Sequence, residues 1–234
     1  MTNPKFSQVT IAEAVVRRDG IIFADRTMLD RSNNYYANIK YESRELFPFS
    51  TTARESIYYY RYIDQLLRKV SPAGLILDVG CGDGRVTRRL LKSGHGSIIA
   101  SDIDYDNLKT LEQSLSPAEQ ERVLLLQGDV AKLPLQANSL DAILAIGVLN
   151  VMREQFVDTC QSLHRLLKPG GLLINSEPTL DGALLYALVR HDAAEFIKVM
   201  ETKTKAIDYD GDKSKRYAVF EAGEVESLLG QSGF

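Results

Sequence analysis

Tryptophan is absent from this 234-residue chain, cysteine occurs twice and histidine three times. Cys81 and Cys160 are too few for a disulfide framework, and no Cys/His group has zinc-binding spacing, so no metal is expected and a reduced, cytoplasmic setting is. Positive charge is not in excess. With 28 Lys and Arg against 31 Asp and Glu, the net charge is −3, which argues against a general polyanion-binding surface. Long apolar runs are missing too. None approaches a membrane span, and the opening MTNPKFSQVTIAEAVVRRDG lacks the unbroken apolar stretch of an export signal, so neither membrane insertion nor export is expected. Repeats and low-complexity segments are also lacking. What is present is 44% hydrophobic residues, enough to bury one substantial core with an appended cap.

The most informative stretch is LILDVGCGDGR, Leu75 to Arg85. An apolar run that meets Gly80, Gly82 and Gly84 and continues into RVTRRLL predicts a buried parallel strand, a tight turn and a helix N-terminus, the unit that grips an anionic or nucleoside-like ligand. Glycine admits the backbone angles of such a turn and lets a ligand lie against the main chain. The spacing is G-x-G-x-G with Asp78 two residues before the first glycine, which differs from the dinucleotide fingerprint G-x-G-x-x-G. This pattern resembles the class I S-adenosylmethionine-dependent methyltransferases. The resemblance covers about residues 52 to 234 and is densest from Leu75 to Ser176.

Further acids end successive expected strands. Gly96 to Ser101 leads to Asp102, placed where an acid can accept hydrogen bonds from both ribose hydroxyls, while Asp104 reads as an N-cap for the helix through Leu108 and Leu111. Val123 to Gln127 leads to Gly128-Asp129-Val130. Leu140 to Ile146 is almost wholly apolar, as a central parallel strand should be, and opens into Gly147-Val148-Leu149-Asn150. The resemblance assigns S-adenosylmethionine as cofactor. It implies that the loop of Gly80, Cys81, Gly82 and Gly84 receives the methionyl part and that Asp78 meets its ammonium group. It further implies Asp102 on the ribose, Ile103 against the adenine, Asp129 and Val130 at the adenine edge, and Gly147 beside the methyl-transfer channel.

No catalytic base is evident. Asn150 stands where many small-molecule relatives carry histidine, and no N-P-P-Y or D-P-P-Y follows the fourth strand. Cys160 falls on the core stripe of a helix with Phe156, Leu163 and Leu167, and His164 reads as a half-buried packing residue at its edge. Glu177 follows the fifth strand, Leu172 to Ser176, with a possible pocket-edge role. His191 is the one imidazole placed where it could act as a base, although a lone histidine on a helix is more often incidental.

The expected architecture is therefore α/β, a Rossmann-like, mainly parallel sheet with helices on both faces and a helical cap. Residues 1–51 form an N-terminal cap segment, with a short helix over Thr10 to Arg18 and Tyr35, Tyr36 and Tyr41 on a packing surface. Residues 52–234 form the methyltransferase domain, opened by a helix from Thr52 to Val70. Thr179 to Thr204 is expected to be one inserted helix, followed by a turn at Tyr209 to Asp212 and a last helix from Phe220 to Gly233. The family's final antiparallel hairpin is not found, which suggests truncation, because a bare fifth-strand edge is a pairing liability. The expected activity is methyl transfer to O, N or C of a small-molecule acceptor, with no nucleic-acid or membrane partner and no indication of oligomeric state. Two other readings stay open: methylation of RNA or protein, and a non-catalytic, cofactor-binding scaffold.

Overall fold

The structure, a computed structural model, describes residues 6, 16–18, 20–24, 54–206 and 216–234. Its chain divides into two compact units. The first comprises Met1–Leu144 and Leu166–Ile174, the second Ala145–Arg165 and Asn175–Phe234.

The first unit is organised by a seven-stranded sheet. Its strands are β1 (Val16–Arg18), β2 (Ile21–Phe23), β3 (Ile76–Val79), β4 (Ile98–Asp102), β5 (Val123–Gln127), β6 (Leu140–Ile146) and β7 (Leu167–Ser176), in the spatial order β1-β2-β5-β4-β3-β6-β7. β3, β4, β5 and β2 run parallel, and β1 pairs with β2 as an antiparallel hairpin. Strand order reverses between β3 and β6, so β3 lies at a topological switch point, the place where open α/β sheets bind their ligands. The parallel strands are nearly continuous apolar runs, with Ile76, Leu77, Ile98, Ile99, Ala100 and Leu126 all fully buried.

Four helices accompany these strands: α1 (Arg54–Leu67), α2 (Arg85–Lys92), α3 (Tyr105–Ser114) and the short α4 (Pro117–Gln120). On α1 the buried positions Ile63 and Leu67 recur at helical spacing, with Val70 just beyond. The Asp104 side chain caps α3 by accepting from the Asp106 N–H at 2.8 Å, as its sequence position predicts. At the other end of the sheet, Asp141 accepts from the Leu75 N–H at 2.8 Å and pairs with Lys168, fastening the start of β3 to the β6 and β7 strands.

The second unit contains α5 (Phe156–Leu166, most of which belongs here), α6 (Leu180–Val189), α7 (Ala193–Thr202), the antiparallel pair β8 (Thr204–Ala206) and β9 (Arg216–Ala218), and α8 (Glu224–Gln231). A buried ion pair ties this hairpin to α7. Arg216 holds Glu195 with both arms of its guanidinium, at 2.9 and 3.0 Å, and also donates to Thr204.

Several expectations are corrected. Val16–Arg18 is strand rather than helix, and with Ile21–Phe23 it brings the sheet to seven strands on the β5 edge, so the N-terminal region supplies sheet as well as any cap. The inserted helix is two helices, broken at Arg190–Asp192, where His191 has a φ of 55° and Asp192 starts α7 by accepting from the Glu195 N–H. The last helix begins at Glu224 because Phe220 is engaged in a parallel bridge with Thr179. β7 starts five residues earlier than expected, directly after α5. Tyr35, Tyr36, Tyr41 and the turn at Tyr209 to Asp212 lie outside the described residues.

Candidate cofactor site and the second-unit polar cluster

The glycine loop joins β3 to α2 with Gly80, Gly82 and Gly84 all at positive φ, 60°, 54° and 90°. Their reasons differ. A Cβ on Gly84 would stand 2.2 Å from the Leu111 side chain of α3, so this glycine lets two helices approach, whereas a Cβ on Gly82 would meet nothing within 4 Å. Gly82 thus leaves an open face beside the main chain, the kind of space a ligand fills. Cys81 is buried, its N–H donates to the Ser101 carbonyl at 3.0 Å, and burial together with Asp78 and Asp102 raises its thiol pKa well above the ordinary value. It is a packing residue of the loop, and only its backbone is placed for a ligand.

Asp102, the last residue of β4, organises this loop. One carboxylate oxygen accepts from the Gly82 N–H at 2.7 Å and the other from the Asp104 N–H at 2.8 Å. A carboxylate has about four acceptor positions, and the Asn107 side chain takes up a further one of those on Asp102. Burial raises the Asp102 pKa, opposed by these two backbone bonds.

Asp78 is deeper, at 1% exposure, and accepts from the Thr87 hydroxyl of α2 at 2.6 Å. Burial pushes its carboxyl up to about 7. Ile103 is 37% exposed, an apolar side chain held outward while the buried Gln127 amide donates to its carbonyl at 2.9 Å. Asp129 starts the 3-10 turn of Val130–Lys132 by accepting from the Ala131 N–H at 3.0 Å, and Val130 is half-buried in that turn.

All the predicted residues except Gly147 therefore fall in the first unit, at the C-terminal ends of β3 and β4 and on the loops that follow β3, β4 and β5. Gly147 follows β6 in the second unit, exposed, with a φ of 67° and its N–H on the Ser176 carbonyl at 2.9 Å. Sequence reasoning missed Thr87 and Gln127. Neither carries a distinct signal, since Thr87 stands among arginines in RVTRRLL and Gln127 only ends the apolar run VLLLQ.

The second unit places the other candidates. Cys160 is fully buried, its thiol pushed up to about 12 by burial and by Glu177, as a core residue should be. His164 is exposed rather than half-buried, with its ring edge-on to Phe234 at 4.9 Å, and His191 is exposed in the turn between α6 and α7. Glu177 accepts from the Leu149 N–H at 3.2 Å, and burial raises its carboxyl to about 8.

These raised carboxyls carry a pH prediction. Between about pH 4 and 7 Asp78 has lost its proton in the unfolded chain and kept it in the folded one, so the unfolded state binds fewer protons and stability falls as pH rises. Asp102 and Glu177 act in the same sense. For Asp78 the loss amounts to about 4 kcal/mol by pH 8. The ligand-free protein should melt higher at pH 5.5 than at pH 8, and Asp78→Asn, which keeps an oxygen for Thr87, should flatten the difference. Identical pH dependence in the two proteins would contradict this assignment.

A methyltransferase-domain family model matches residues 76–171. The chain is 33% identical over 155 residues to the ubiquinone/menaquinone biosynthesis C-methyltransferase UbiE of Ectopseudomonas mendocina (strain ymp), covering 64% of this chain and 59% of that protein. It is 32% identical over 108 residues to the demethylmenaquinone methyltransferase of Staphylococcus aureus (strain MRSA252), covering 44% of each. The chain thus spans less than two thirds of the length of these relatives. In fold it matches a SAM-dependent methyltransferase from Methanosarcina mazei with a TM-score of 0.59, at 19% identity, over 71% of this chain and 82% of that one.

Proposed function

We propose that the chain is a class I S-adenosylmethionine-dependent methyltransferase that methylates a carbon atom of a small aromatic acceptor of the quinone type. The observation that carries the acceptor class is the 33% identity over 155 residues to a protein named as a quinone-pathway C-methyltransferase. The net charge of −3 and the lack of N-P-P-Y after β6 favour a small molecule over nucleic acid. The exposed Leu185, Leu188 and Val189 of α6 and Ile197 and Met200 of α7 suit an apolar acceptor, and among the described residues no helix is long and apolar enough to cross a membrane.

The cofactor supplies a methyl group already activated by its sulfonium. The chain's residues are left to bind, orient and exclude water, and orientation supplies most of the rate. The main chain of Gly80, Cys81 and Gly82 would receive the methionyl part over the open face at Gly82, with Gly84 setting the turn. Asp78, fixed by Thr87, would face the cofactor's ammonium group, whose charge favours the ionised carboxylate and reverses the effect of burial. Asp102 would accept from the ribose hydroxyls with the acceptor capacity that Gly82, Asp104 and Asn107 leave unused. Ile103 would cover one adenine face, and Asp129 and Val130 would meet its edge.

Incubating the chain with S-adenosylmethionine bearing a deuterated methyl group and a panel of phenols and hydroquinones tests this reading by mass spectrometry. The expected product carries the label on a ring carbon, stable to ether cleavage. Label found only on oxygen or nitrogen, or only in RNA or protein, would overturn it.

A further inference from the structure

The second unit holds buried polar atoms for which the fold has no use. Glu177 faces the backbone N–H groups of Leu149 and Asn150, and its Oε1 accepts from Leu149. Its other oxygen, Oε2, is buried without a partner. Asn150 is 8% exposed, and its Oδ1 also has no partner. Asn175 precedes Glu177 by two residues on the same extended stretch, so the two share a side of the chain, and its Oδ1 is orphaned too. Capping the turn at Leu149 needs one oxygen, which a glutamine would supply as well. Three buried polar atoms without partners are costly unless a ligand supplies the partners.

We propose that Asn150, Asn175 and Glu177 form the recognition site for a ring hydroxyl on the methyl acceptor and thereby select which acceptors are used. The inference rests on the methyl-transfer reading above and adds the group that is recognised and the residues that recognise it. The hydroxyl is favoured over an ammonium group by the state of the carboxyl. Burial keeps Glu177 largely protonated near neutral pH, and the titratable group that faces it among the described residues, the Cys160 thiol, is neutral as well. An uncharged carboxyl both donates and accepts, as a hydroxyl does, whereas an ammonium only donates.

Calorimetric titration of the 234-residue chain, saturated with S-adenosylhomocysteine, with 1-naphthol and with its methyl ether tests the proposal directly. The ether keeps the ring system and its oxygen and carries a methyl group in place of the donor hydrogen. Wild-type protein should bind the naphthol at least tenfold more tightly, and Glu177→Gln, which keeps an oxygen for the Leu149 N–H, should reduce that preference below threefold. Asn150→Ala should do the same and serves as the second variant if Glu177→Gln does not fold. Equal affinity for the two probes, no binding of either, or a tenfold preference that survives both substitutions would each overturn the proposal. Because the titration needs no turnover, its failure is distinct from that of the methyl-transfer reading, which fails on the absence of labelled ring carbon.

Discussion

Asp102→Ala should weaken S-adenosylhomocysteine binding by about 100-fold or more, because hydrogen bonds to an ionised group contribute roughly 1.5–3 kcal/mol each and the substitution removes those to the ribose and to the loop together. The carboxylate fixes Gly82 from one oxygen and Asp104 from the other. The isosteric Asp102→Asn should fare little better. Whichever way its amide turns, the NH2 group faces a backbone N–H, either that of Gly82 or that of Asp104, and two donors repel. Titration of both variants by calorimetry, with circular dichroism to confirm folding, decides the matter. Binding within threefold of wild type for either variant would remove Asp102 from the cofactor site.

Arg216→Ala should cost about 3–5 kcal/mol of stability, the usual consequence of leaving one member of a buried ion pair without the other. The Arg216 and Glu195 side chains are 14% and 11% exposed, and the guanidinium bonds the Glu195 carboxylate and Thr204 with four contacts between 2.6 and 3.0 Å. Lysine cannot reproduce that planar fork, so Arg216→Lys should fail as well. The contrast is Lys168 with Asp141, 45% and 31% exposed, for which loss of the lysine should cost under about 1 kcal/mol. Thermal melting should show a drop on the order of 10 °C for Arg216→Ala and a small one for Lys168→Ala. A shift below about 2 °C for Arg216→Ala would mean that the pair contributes nothing.

The parts of this molecule legible in its sequence are those whose causes are local. β5 and β6 fall on the expected residues because an apolar run bounded by polar turns needs no distant information. Asp104 could be read as a cap for the same reason. The β1–β2 hairpin could not be read from periodicity, because each strand has three residues and β2 pairs with β5, far along the chain. Its one local sign was the Asp19-Gly20 pair, a frequent hairpin turn. The break between α6 and α7 was hidden because α6 is apolar on every side and gives no phase from which to see the stripe shift. Asp192 with Glu195 three residues later was the overlooked start signal.

In the candidate site, the positions of Asp78, Asp102 and Asp129 at strand ends were legible, but their partners were not. Thr87 reaches Asp78 across a turn of tight glycines, and Gln127 reaches Ile103 from the neighbouring strand. Such pairings depend on register, which becomes fixed only when the sheet forms. Glu177 and Asn150 belong to the same class. Nothing in either local sequence announces an oxygen without a donor.

The pairing of β2 with β5 also bears on how the chain is made. Ile21 finds its partner in Leu125, roughly 100 residues later. At a synthesis rate of about 5–20 residues per second, the first hairpin waits on the order of 5–20 s before its template strand exists. Ile21, Ile22 and Phe23, buried in the finished sheet, spend that interval without their neighbour. Ile21 to Phe23 are therefore made about 100 residues before the strand that covers them, and during that interval they are open to chaperones and to other unfinished chains.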